Sequence, residues 1–177
     1  GEPYQRKDMD EKIGETKINN RSGSGVFSFE NTVVLLVTLE QELSEEGNSY
    51  EDFFEYPEFV WSSQKKGPYS KPTTPVMKGM LENGAELFVR QRAKNASKTN
   101  PYIYFGSVDA LSHGMPQGEE SPFKVKFQLL ENIQGISREV DDLINWKPFN
   151  YKNSQASYII SSLDNKQKKN KKSSSTS

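Results

Sequence analysis

Apolar and polar positions along this chain follow two periods, and the shorter one dominates. Thr32 to Glu40, TVVLLVTLE, is β-branched and apolar on both sides, which predicts a strand inside a sheet rather than at its edge. Val26 to Phe29 predicts a shorter strand before it, and the apolar segment that opens at Phe59 predicts another around Trp61. In Glu86 to Arg92, Leu87 and Val89 fall on one face and Phe88 and Arg90 on the other. Ala93 to Asn100 reads as a hairpin loop and Tyr102 to Phe105 as its returning strand, closed by Gly106. Val108 to Leu111 is short, and Ser112 to Pro122 reads as a long loop punctuated by Gly and Pro. From Phe123 the alternation is clean: Phe123, Val125, Phe127 and Leu129 inward, against Lys124, Lys126 and Gln128 outward, a half-exposed strand ending near Leu130.

Helical spacing is rarer. Tyr4 to Ile13 predicts a short helix with Met9 and Ile13 on one face and Gly14 as its stop. Ser137 predicts an N-cap for a helix through Trp146, with Val140, Leu143 and Ile144 as the buried stripe. Tyr158 to Leu163 predicts a last short helix. Tyr50 to Phe54 reads as a helical turn or an irregular segment, and Glu82-Asn83-Gly84 as a turn after Pro75 to Gly79. Many short strands with hairpin-length loops imply a mostly-β (α+β) single domain, a barrel or sandwich with short helices over its ends. We place it at residues 1–163, followed by a disordered tail at 164–177, whose stretch from Lys166 onward holds no apolar side chain.

Composition narrows the classes. No cysteine is present, so disulfides and thiolate metal sites are excluded, and the single His113 excludes an all-histidine zinc site. The longest apolar run, Val33 to Val37, is too short to span a membrane and no signal peptide is visible. A soluble, cytoplasmic protein is expected. A first residue other than Met suggests a fragment of a longer chain or the product of tag removal.

The net charge of −1 conceals a segregated pattern. Asn31 to Gln64 carries no Lys or Arg but eight carboxylates, Glu40, Glu42, Glu45, Glu46, Glu51, Asp52, Glu55 and Glu58. From Lys65 to Pro101 the sign inverts, with Lys65, Lys66, Lys71, Lys78, Arg90, Arg92, Lys94 and Lys98 against only Glu82 and Glu86. This split predicts a bipolar surface with one face suited to a polyanion. Solvated loops of opposite sign are the plainer explanation.

Catalytic patterns are absent: no Gly-rich phosphate loop, no nucleophile elbow and no Cys/His pair. A hydrolase using His113 with a carboxylate is a weak alternative, since acid–base work needs perturbed carboxyls and an acidic loop leaves them ordinary. Binding is better supported. The stretch Phe59 to Pro75, FVWSSQKKGPYSKPTTP, sets Trp61 beside Ser63, Gln64 and three lysines. Trp61, Tyr69, Tyr102 and Tyr104 offer flat faces on which a base can stack, at about 1–3 kcal/mol each, and the cations can neutralise phosphates. A tryptophan within a strand is more often a core anchor.

In order along the chain, YQRKDM at Tyr4, LLVTLE ending at Glu40, YEDFF at Tyr50, FVWSSQ at Phe59, ELFVR ending at Arg90, PYIYFG ending at Gly106, SHG at Ser112 and FKVKFQL at Phe123 resemble the C-terminal domain of SauUSI-type, modification-dependent (type IV) restriction enzymes. In those enzymes the domain follows a phospholipase-D-like nuclease and a helicase. The resemblance implies an SRA- or PUA-like open β-barrel that reads 5-methyl- or 5-hydroxymethylcytosine in double-stranded DNA by flipping the base, without cofactor or catalysis of its own. It implies a base pocket of Tyr50, Asp52, Trp61, Ser63, Gln64 and Tyr104, with Asp52 accepting from the cytosine amino group. It further implies backbone contacts from Lys65, Lys66, Lys71, Lys78, Arg90, Arg92, Lys94, Lys98 and His113, and partner nuclease and helicase domains on the parent chain. The loop after FVWSSQ is more basic and proline-rich than that pattern, the loop at His113 is longer, and SGSGVFSF replaces a Gly-Gly-Tyr-like turn. A docking or dimerisation module using the acidic Glu40–Glu58 segment is the alternative function.

Overall fold

The computed structural model describes residues 3–5, 25–30, 32–39, 52–64, 69–92, 98–114 and 123–148. Its strands are β1 (Pro3–Tyr4), β2 (Val26–Ser28), β3 (Val33–Leu39), β4 (Phe53–Glu55), β5 (Glu58–Ser62), β6 (Ala85–Gln91), β7 (Tyr102–Gly114) and β8 (Lys124–Leu129). Helix α1 spans Pro75–Asn83 and α2 spans Arg138–Asn145. All eight strands join one sheet in the order β2-β3-β6-β7-β8-β5-β4, with β1 added to β7. The path ends at β2 on one side and β4 on the other, so the sheet is open. The fold is mostly β with two short helices among the described residues.

The doubly apolar run of β3 has a direct cause, because the sheet is covered on both faces there. Val33, Leu35, Val37 and Leu39 enter the main core, while Val34 and Leu36 join Phe27, Phe88 and Tyr102 in a second cluster. β3 pairs with β6 in parallel, from Val34 opposite Glu86 to Leu39 opposite Gln91. A parallel pair needs a long crossover, and here it contains β4, β5 and α1. The faces of β6 fall as its alternation predicts: Leu87 and Val89 in the main core, Phe88 in the second cluster.

Several elements differ from the sequence expectation. Tyr4 lies in a strand, opposite Tyr102, where a helix was expected to start; the rest of that helix lies outside the described residues, as do Tyr158–Leu163 and the tail. Phe53–Glu55 is a strand because it pairs with β5 across the cis Tyr56–Pro57 turn. Pro75–Asn83 is a helix, with Pro in its first turn, Met77 and Met80 buried and Gly84 at φ +83° ending it. Gly106 does not close its strand. It adopts φ +88° within a 13-residue β7, whose extra residue Phe105 bulges opposite Leu87 and Phe88 and is fully buried. A second bulge at Leu111 lets β7 run on to Gly114 along β8, through the start of the expected loop.

Two expectations at the C-terminal side hold. Ser137 caps α2, its Oγ accepting from Val140 N at 3.2 Å, and Val140, Leu143 and Ile144 are buried. α1 packs on β7 and α2 on β4 and β6. Among the described residues no helix is long and apolar enough to cross a membrane.

Candidate nucleic-acid interface

The polar end of β5 follows from how its ladders stop. Successive N–H groups on an inner strand point alternately to the two neighbours. Ser63 N donates to Phe123 O at 2.9 Å, on the β8 side, so Ser62 N points toward β4. The β4–β5 ladder, however, ends at Phe53 opposite Val60. The Asp52 carboxylate takes the place of the missing carbonyl, and its Oδ1 accepts from Ser62 N at 2.7 Å. Across β5, Ser62 lies directly opposite Lys124 of β8.

Asp52, Ser62, Ser63 and Lys124 are the buried polar side chains among the described residues, at 7, 4, 0 and 6% exposure. Burying such groups is costly unless they are satisfied, and all four lie in or beside the last residues of β5, Ser62 and Lys124 on one face of the sheet and Ser63 on the other. Gln64 continues the same end, its N–H donating to Tyr69 O at 3.3 Å, and Ser63 Oγ donates to Gln64 O at 3.2 Å. The sequence pattern identified Asp52, Ser63 and Gln64 but missed Ser62 and Lys124. Lys124 was read as an outward position of β8, and its burial departs from that reading.

The aromatic candidates lie elsewhere. Trp61 is buried at 5% exposure in the main core, its ring edge-on to Phe123 at 6.4 Å. Tyr104 sits on the first half of β7, its ring centroid 4.8 Å from that of Phe88 and tilted by 39° to it. Its hydroxyl donates to Glu86 Oε2, while Ser107 Oγ donates to Glu86 Oε1 at 2.7 Å. Burial, then that hydrogen bond and the carboxylate charge, push the Tyr104 phenol well above its ordinary pKa. Between β7 and β4, which Asp52 directly precedes, lie β8 and β5. Tyr50 lies outside the described residues.

The cations fall into two groups. Lys71 and Lys78 are exposed, the first in the segment leading from β5 and the second on α1. Arg90, Arg92 and Lys98 belong to the β6–β7 hairpin. Arg90 is engaged there: its guanidinium lies 4.2 Å over the Tyr102 ring, its Nε donates to Thr38 Oγ1 at 3.0 Å and its Nη1 to Asn100 O at 3.3 Å. Arg92 and Lys98 are exposed. Half-buried His113 stands opposite Val125, near the far end of β7. Lys65, Lys66 and Lys94 lie outside the described residues. The hairpin group lies at the Ile103 end of β7, away from the end where Gly114 pairs with Lys124.

A separate ion cluster lies further along the same strands. Lys126 Nζ contacts Glu55 at 3.1 Å and Glu58 at 2.8 Å. Burial opposes its charge, but hydrogen bonds to Glu58 and Glu55 outweigh that and raise its pKa. Lys147 Nζ donates to Phe54 O and to Ile144 O, tying the end of α2 to the edge strand β4. Burial lowers the Lys147 pKa, with the Glu55 charge opposing. Among the described residues no group of His, Cys, Asp or Glu side chains is arranged to hold a metal ion.

No curated protein matches the chain. Among solved structures, the SRA domain of SUVH5, determined in complex with fully methylated CG DNA, is similar with a TM-score of 0.46 at 15% identity, covering 75% of this chain and 89% of that one. Residues 1–136 match the family described as a domain of unknown function (DUF3427), and the chain belongs to that family.

Proposed function

We propose that this domain binds double-stranded DNA carrying a modified cytosine, 5-methyl or 5-hydroxymethyl, and reads the base after extruding it from the duplex. On this reading the scaffold is an SRA- or PUA-like open barrel of a type IV restriction system. Nuclease and helicase domains of a parent chain supply cleavage and ATP hydrolysis. The observation that carries the proposal is the group of buried polar side chains at the end of β5, with the Asp52 carboxylate held there by Ser62 N. An ionised carboxylate is an acceptor only, and the cytosine amino group is a donor. Extrusion costs a few kcal/mol, and a closed site that surrounds the base uses the small contribution of one methyl group best. Ser63 and Gln64 flank the base. Lys71, Lys78, Arg92 and Lys98 are the backbone contacts on this reading.

Equilibrium binding of the chain to matched duplexes with and without 5-methylcytosine tests this. The modified duplex is expected to bind more tightly, and equal affinity at every salt concentration ends the modification claim. Asp52→Asn is the sharper probe. Its Oδ1 can still accept from Ser62 N, but its amide now presents a donor to the cytosine amino group. The modified duplex should then fall to the affinity of the unmodified one, while thermal unfolding stays close to wild type.

A further inference from the structure

We infer that Arg90 and Thr38 form a preorganised site for one phosphate group, apart from the base site and on the face of the sheet that carries the second apolar cluster. Three adjacent strands build it. Thr38 of β3 is the register partner of Arg90 on β6. Tyr102 of β7, 2% exposed, supplies the floor, with the guanidinium 4.2 Å above its ring centroid. Nε donates to Thr38 Oγ1 at 3.0 Å and Nη1 to Asn100 O at 3.3 Å. The plane of the group is thereby fixed before any ligand arrives, so binding orders little further.

The donors left over define the site. A guanidinium carries five N–H donors in a planar fork and accepts nothing. Nε and Nη1 are engaged, and Nη2 keeps both of its hydrogens. The buried side-chain polar atom without a partner among the described residues is Glu55 Oε1, so Nη2, also without one, opens to solvent. No carboxylate pairs with Arg90 among the described residues. Glu86, on the same face of β6, is turned to Tyr104 and Ser107. Thr38 Oγ1 accepts from Nε, which leaves its own O–H to donate. An oxygen seated beside that hydroxyl can accept from it and from Nη2 together. A flat carboxylate cannot take its two parallel bonds on this edge, because Nε is already engaged, whereas a phosphate needs only one oxygen there. Arg92 and Lys98, exposed on the same hairpin, add positive potential.

A phosphodiester of a bound duplex and a free phosphate share this chemistry, and only the first rests on the proposed DNA binding. Titration of the wild-type chain, followed by the Arg90 Nε–H resonance, tests the site with inorganic phosphate, acetate, and cytosine and 5-methylcytosine duplexes at a single ionic strength. Phosphate is expected to shift that resonance and acetate to leave it in place. A duplex that shifts it too identifies the phosphodiester as the source, and a duplex that does not, while phosphate does, identifies free phosphate. No shift with phosphate or either duplex, or an equal shift with acetate, overturns the inference whether or not any variant folds. Thr38→Val, which keeps the charge, should weaken phosphate about fivefold, and Arg90→Lys, which lacks the planar fork, should lose it, both read from the Gln91 amide. Either variant, folded and binding phosphate as tightly as the wild type, overturns it as well. Failure of the parent reading shows separately, as equal affinity for the two duplexes.

Discussion

Tyr104 shows how far one side chain's surroundings set its chemistry. Its phenol is held protonated by burial and by the Glu86 carboxylate, which also accepts from Ser107. The sign of the linkage follows. Below pH of about 10 the phenol is protonated in both folded and unfolded chains. Above that value the unfolded chain releases the proton and the folded one keeps it, so stability declines as pH rises. The wild type is therefore expected to lose more stability than Tyr104→Phe between about pH 9 and about pH 11, measured as the shift in urea midpoint. Lys126 contributes in the same direction in both proteins, so the difference isolates Tyr104. An equal loss in the two would mean that neither burial nor Glu86 holds the Tyr104 phenol protonated. Residue types that carry their own local signal were legible in the sequence: Ser137 as a cap, and Phe123, Val125, Phe127 and Leu129 as a buried face. Lys124 was not, because alternation says which side of a strand a residue occupies and nothing about what lies on that side.

At the scale of elements, those that hold themselves together by local rules were recovered and those that exist through partners were not. α2 has a cap, acidic residues Glu139 and Asp141 in its first turn, and an apolar stripe at helical spacing, all visible in sequence. Ser137→Ala should destabilise the domain by about 1 kcal/mol, read from the urea midpoint, since Val140 N loses its acceptor. No change at all would show that solvent satisfies that N–H as well as the serine does. β4 is three residues long and lacks alternation, so only its pairing with β5 makes it a strand. Gly106 misled for a physical reason. A glycine with positive φ normally ends an element, but in β7 the same conformation absorbs a bulge, and the strand continues. α1 was obscured by its own composition, with Gly79 inside and Pro75 at the start, yet Pro is tolerated in a first turn, and Met77 and Met80 anchor the helix to the core.

Across the whole molecule, the arrangement of strands decides what a duplex can touch, and this arrangement is non-local. The parallel pairing of β3 with β6, strands separated by a crossover that contains β4, β5 and α1, has no signature in either strand alone. Its consequence for binding is that the cations adjacent in sequence are divided. Lys71 follows β5, beside whose end Asp52 and Lys124 lie, while Arg92 and Lys98 flank the β6–β7 hairpin. From Ile103 to Gly114 is twelve residues, eleven steps of β7, about 36 Å of strand if fully extended and less through its two bulges. That upper bound is close to one turn of B-form DNA, about 34–36 Å. A duplex centred on the β5 end therefore reaches the hairpin only if it lies along β7. Each phosphate neutralised adds about 0.9 to the magnitude of the slope of log K against log salt. Lys71→Ala/Lys78→Ala should accordingly lower that magnitude by up to about 1.8, weakening modified and unmodified duplexes alike. Arg92→Ala/Lys98→Ala should lower it less. An equal reduction from both pairs would instead lay the duplex along β7, and a reduction from the hairpin pair alone would move the contact away from Asp52 and with it the reading of the β5 end as the base site.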